Sequence, residues 1–259
     1  MTATPVVVIG QIARDLAVRV ERIPDPGGTV DVAQRRELLG GKGANIAVGL
    51  VQLGVAVSLL GVVGDDSVGT QLIEQCTRDG IEADPVIRRA GAESALMIDI
   101  VTADGRWRYL ESVPSGTLLT KADVEAEAEL MASTETLVIP LQQPVAAALT
   151  AIDLAGPRRR IILDGAPQGD DQDRDRLLRA TTVLRCDARE AELIAGRPVP
   201  DAAAGRAVAR ELLHDDDPAQ AIHLATAAAG MTAGHLAGRP GLDPDRIRSL
   251  PGRPVDTAR

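Results

Sequence analysis

The chain has 259 residues, the length of one large α/β domain, and 45% of them are hydrophobic, as in an ordinary globular protein. A formal charge of −9 excludes a general basic field for phosphate backbones or anionic lipid. With no Phe, one Trp and one Tyr, the core must be aliphatic, and the rings are too few to stack successive nucleic-acid bases.

In chain order, the first element is the apolar run at 6–10, predicted as a buried strand. The five residues before it carry no basic region of a signal peptide, and no run of about 18 apolar residues follows, so a cytoplasmic protein is expected. Residues 11–20 alternate as an extended segment, and Pro24-Asp25-Pro26-Gly27-Gly28 marks a turn with extended pieces on both sides. Gly40-Gly41-Lys42-Gly43 opens an apolar run over 44–53, a buried helix closed by Gly54. The run 55–63 predicts one continuous strand. Asp66 or Ser67 then caps a helix with Val68, Leu72, Ile73 and Cys76 on one face, ending at Gly80. Strand, capped helix, strand is the pattern of a parallel sheet.

Segments 94–101 and 106–110 flank Ala103-Asp104-Gly105, a hairpin signal that predicts an antiparallel flap beside the sheet. Thr120 with Asp123 predicts a capping box for a helix reaching about residue 132, followed by a strand over 136–141 and a helix over 144–155. Strands are predicted at 161–163 and 182–184, and helices over 174–180, 190–195 and 202–213. A last helix is capped by Asp217 with Pro218 at its first position. Cys76 and Cys186, each set in an apolar-periodic element, read as buried thiols of a reducing compartment.

The glycines at 40, 41 and 43 let the backbone approach a ligand at a helix start, although tight helix entry alone also explains them. Lys42 and Asn45 add a point charge and a bidentate amide, which suit a polyhydroxylated substrate. No Gly-Lys-Ser/Thr closes the loop as in a Walker A element, and the loop does not directly follow the first strand as a dinucleotide fingerprint does, which disfavours an oxidoreductase.

Several ordered motifs carry a resemblance. They are the 6–10 strand, Asp15, Pro26-Gly27-Gly28, Gly40-Gly41-Lys42-Gly43-Ala44-Asn45 and Gly61-Val62-Val63-Gly64-Asp65-Asp66-Ser67-Val68-Gly69, then Gln142-Gln143-Pro144, Asp164-Gly165-Ala166-Pro167 and Asp187-Ala188-Arg189-Glu190. In this order and spacing they resemble the ribokinase-like (PfkB-type) carbohydrate kinases. The resemblance implies an α/β fold: a three-layer sandwich over 1–259 with a mostly parallel central sheet and a small β lid from about 11–37 and 94–111. It implies ATP-dependent phosphoryl transfer to a sugar or nucleoside hydroxyl, with Mg²⁺ and a monovalent cation, in a cytoplasmic homodimer. Asp15, Gly41, Lys42 and Asn45 would hold the sugar, with Gln142 where a carboxylate is usual and Ala13 where an Asn is usual. Asp187 and Glu190 would face the nucleotide, Glu190 also the metal. Asp187 stands where the family has Asn, and a plain helix cap is the competing reading.

The family's Gly-Ala-Gly-Asp helix start, source of the catalytic carboxylate, occurs nowhere in the sequence. It is expected between the 202–213 helix and the one starting at Asp217, where only His214, Asp215 and Asp216 stand. Pro254-Val255-Asp256-Thr257-Ala258 resembles the residues preceding that motif, but it follows the last helix, and coincidence explains it. Omitted residues, a natural deletion or a pseudokinase that binds sugar without phosphorylating it all account for the gap. Loss of central strands would strip a marginally stable core, which favours omission or help from a partner chain.

Overall fold

The computed structural model describes residues 6–198; the helices expected over 202–213 and from Asp217, and the 254–258 segment, lie outside the described residues. The N-terminal elements are β1 (Val6–Ile9), β2 (Ala13–Val20), β3 (Val32–Gly40), α1 (Lys42–Gln52), β4 (Val57–Leu60), β5 (Val62–Gly64) and α2 (Ser67–Arg78). Next come β6 (Ile87–Arg89), β7 (Ala95–Thr102), β8 (Trp107–Ser112), α3 (Lys121–Ala126), α4 (Ala128–Ser133) and β9 (Thr136–Pro140). The last are α5 (Val145–Ala155), β10 (Arg160–Asp164), α6 (Asp171–Ala180), β11 (Val183–Arg185) and α7 (Ala188–Ala195).

The central sheet is parallel throughout, in the order β11-β10-β9-β1-β4. Successive side chains of a strand point to opposite faces, and β1 feeds both. Val7 and Ile9 join Leu137, Ile139, Leu163 and the buried residues of α3 to α6 on one face. Val8 joins Val57, Leu59 and Val138 against α1 and α2 on the other. Burial on both faces is why these strands read as continuous apolar runs.

A second sheet of four strands runs β3-β2-β7-β8, with β2 and β7 parallel and both outer pairs antiparallel. It is built from the segments expected to form the flap. One face carries Asp15, Met97 and Glu111 as directly opposed residues, followed by Ala17, Asp99 and Tyr109. The opposite face carries Leu16, Ile98 and Leu110, with Val18 beside Ile100.

Three expectations are corrected. The run 55–63 is not one strand: it breaks at Gly61, where a Cβ would lie 2.5 Å from the Gly10 carbonyl, and β5 leaves the central sheet to pair with β6. The helix from Thr120 divides at Glu127 into α3 and α4, though its capping box with Asp123 is present. Cys186 lies between β11 and α7 and is only half-buried, because β11 stops at Arg185; Cys76 is buried in α2.

Asp66 fastens the second sheet to the body. Its carboxylate caps α2 by accepting from the Gly69 amide (2.7 Å), and it also accepts from the amide (2.8 Å) and hydroxyl (2.7 Å) of Ser94, the residue that leads into β7. Burial pushes this carboxyl up, but the Ser94 and Gly69 hydrogen bonds outweigh it and leave the pKa below the usual value. Asp66→Ala should therefore destabilise the fold by about 1–2 kcal/mol, as loss of a cap does. Because the folded pKa is depressed, this stability is present above the unfolded carboxylate pKa and is lost as pH falls through the folded one. Urea melts of both proteins at about pH 7 and about pH 3 should show the difference shrinking in acid.

Candidate active site

The carboxyl ends of the parallel strands form one edge of the molecule, and the glycine loop closes over it. Gly10 and Gly43 touch backbone to backbone: a Cβ on Gly10 would lie 2.6 Å from the Gly43 Cα, so the first turn of α1 seats directly on the end of β1. At Gly40 a Cβ would fall 1.8 Å from the Asp15 carboxyl carbon, so the Asp15 side chain lies across bare backbone. Gly41, with φ of 84°, is the residue before α1 and turns the chain from β3 into the helix.

These contacts bring together the residues expected to hold a polyol. Asp15, Gly41, Lys42, Asn45 and Gln142 line one open cavity of about 330 Å³, with Gln11, Tyr109 and Glu111. Asp15 is 7% exposed. Tyr109 and Glu111 were not singled out from the sequence, yet a signal for them existed: period-two alternation in the hairpin puts Trp107, Tyr109 and Glu111 on one face. Burial, then the charges of Asp15, Asp99 and Glu111, push the Tyr109 phenol up to about 12, so it remains a hydrogen-bond donor at neutral pH.

A second cavity of about 360 Å³ adjoins the first and shares Gln142 with it. Its lining includes Gly165, Ala166, Gln168, Asp187, Arg189 and Glu190. Asp187 and Glu190 form a reciprocal capping box at the start of α7: Asp187 accepts from the Glu190 amide (2.7 Å) and Glu190 Oε2 from the Asp187 amide (2.8 Å). The capping reading thus describes the geometry, while both residues still face the cavity. Glu190 Oε1, the oxygen outside the cap, lies 3.9 Å from Lys42 Nζ.

Lys42 also lies 3.6 Å from Asp164 Oδ1 at the end of β10, and Arg185 at the end of β11 donates to the same oxygen at 2.7 Å. Asp164 is 7% exposed, so its charge is held by two cations at the seam of the two cavities. Among the described residues no group of three or more His, Cys, Asp or Glu stands in metal-holding proximity. Mg²⁺ commonly uses one or two carboxylates and completes its shell with phosphate and water, and Glu190 fits that lesser demand.

The pfkB family carbohydrate kinase model matches residues 3–215. The chain belongs to this family. Similar curated proteins include ribokinase of Mus musculus, 27% identical over 202 residues that make up 77% of this chain and 62% of that protein. Ribokinase of Schizosaccharomyces pombe is 30% identical over 156 residues, 58% of this chain and 49% of that one. The chain thus spans about half to three-fifths of the length of these two relatives. The ribokinase fold is shown by Thermotoga maritima ribokinase (TM-score 0.72, 19% identity, 95% of this chain and 98% of that one). Arabidopsis thaliana ribokinase complexed with ribose and ATP also matches (TM-score 0.66, 21% identity, 82% and 69%).

Removing the shared carboxylate leaves Arg185 and Lys42 facing each other across the seam. Asp164→Ala should cost about 1–3 kcal/mol of stability, as loss of a charge-assisted hydrogen bond does. Asp164→Asn, which keeps an acceptor, should recover part of it, and thermal melts of the three proteins check the order.

Proposed function

We propose that this protein is an ATP-dependent sugar kinase of the pfkB family that transfers a phosphoryl group to a hydroxyl of a sugar or nucleoside. The observation that carries the reading is the convergence of Asp15, Lys42, Asn45 and Gln142 on one cavity at the carboxyl edge of a parallel sheet. Asp15 accepts hydrogen bonds from hydroxyls, the Asn45 and Gln142 amides both donate and accept, and Lys42 supplies a donor with a charge. The Gly41 backbone lets the substrate approach closely.

In this reading the second cavity takes the ATP phosphates, with Asp187 and Glu190 beside them. Mg²⁺ at Glu190 would supply the charge neutralisation that phosphoryl transfer demands, and a monovalent cation would assist. Lys42 spans the boundary and holds the acceptor against the incoming phosphoryl group. The general base is assigned to no described residue, since the Gly-Ala-Gly-Asp sequence occurs nowhere in the chain. The four-stranded sheet acts as the lid of a single kinase unit. Its outer face, with Leu110 55% exposed, pairs with a second copy in a homodimer. Among the described residues no helix is long and apolar enough to cross a membrane, and the reading places the protein in the cytoplasm.

The test is a sugar panel with ATP and Mg²⁺, read by thermal shift and by ADP release. A sugar that raises the melting temperature and is phosphorylated supports the reading, whereas stabilisation without ADP assigns a sugar-binding role instead. Asp15→Ala should weaken binding of that sugar by about 10- to 100-fold, the worth of a hydrogen bond to a charged group. For the dimer, Leu110→Asp should shift sedimentation from dimer to monomer.

A further inference from the structure

The only two aromatic residues of the chain, Trp107 and Tyr109, stand side by side on β8. The cores use none: they are filled with Val, Leu, Ile, Ala and Met, with Cys76. Trp107 is nonetheless 68% exposed and Tyr109 45%, with ring centroids 6.5 Å apart and planes at 78°. An edge-to-face pair of this kind leaves ring surface open to a third partner.

Their face of the sheet decides what that partner is. Tyr109 and Glu111 line the polyol cavity, and Trp107 continues the same alternating row. The apolar face with Leu16, Ile98 and Leu110 is the opposite one, so a second copy seated there would not cover the rings. Tyr109 lines, and Trp107 adjoins, a pocket that sets two carboxylates, Asp15 and Glu111, against one cation, Lys42, a balance that disfavours an anionic ligand, and Asp99 lies directly across from Tyr109. A flat, uncharged group joined to a polyol meets all three conditions, because every such ring offers a π-face to an aromatic side chain.

We propose that Trp107 and Tyr109 form an aromatic platform that extends the polyol cavity and selects an uncharged ribonucleoside over free ribose and over nucleotides. The ribose moiety occupies the cavity of Asp15, Lys42 and Asn45, and the base lies against the Trp107 indole. This substrate class rests on the polyol-binding reading of the cavity and narrows it.

Trp107 is the sole tryptophan, so intrinsic emission reports on this position alone. The full chain is titrated with ribose, adenosine, uridine and AMP, with excitation at the red edge of the indole band and calorimetry in parallel. Adenosine and uridine should quench Trp107 and bind about tenfold or more tightly than ribose, the increment of one stacked base. AMP should bind more weakly than adenosine. Trp107→Ala should bring the nucleoside-to-ribose affinity ratio towards one, and Trp107→Phe should restore most of it.

If ribose binds while nucleosides bind no tighter and leave the emission unchanged, the platform is overturned and the polyol cavity stands. If neither binds, the cavity reading falls and takes the platform with it. An affinity ratio unchanged in Trp107→Ala overturns the platform as well. Should that variant not fold, the emission titration of the unaltered chain still decides.

Discussion

Everything at the carboxyl edge depends on backbone meeting backbone where side chains have been dispensed with. The Gly10–Gly43 contact seats the start of α1 on the end of β1, and the bare Gly40 leaves the space that the Asp15 carboxyl occupies. A single methyl at any of the three would collide with an atom less than 3 Å away. The cost would fall on the geometry of the cavity, since Lys42 and Asn45 ride on the first turn of α1 while Asp15 comes from the other sheet. Packing of this tightness converts small shifts into loss of alignment, because the interior has no free volume to absorb them.

The two sheets are separate hydrogen-bonded units, so their relative placement needs its own fastening. Asp66 supplies one, capping α2 on the body and holding Ser94 where β7 begins. The Gly64 amide donates to the same Ser94 hydroxyl at 3.0 Å, which closes a small network around the junction. Through the pairing of β7 with β2 this junction also sets the height of Asp15, and through β8 that of Tyr109 and Glu111.

Charge is concentrated at the seam between the cavities. Asp164 faces both Lys42 and Arg185, and Glu190 adds a second carboxylate near Lys42. An ammonium that faces carboxylates on two different elements is confined to a narrower range of positions than a lysine free in solvent. The arrangement links the β10 and β11 ends to the glycine loop through Asp164.

The sequence by itself determined the parallel sheet, the glycine loop, the Thr120 cap, a cap at either Asp66 or Ser67, and the kinship with carbohydrate kinases. Apolar periodicity, glycine position and capping residues are local properties that a linear string records. Only the tertiary structure decided the break at Gly61, because the obstacle there is the carbonyl of Gly10, some fifty residues away. It alone paired β5 with β6, whose three residues are too few to show a period. It also brought Tyr109 and Glu111 over the cavity and Asp164 between two cations. Which face of a hairpin turns inward, and which charges share a seam, is fixed by packing between elements distant in sequence, where no local pattern carries the information.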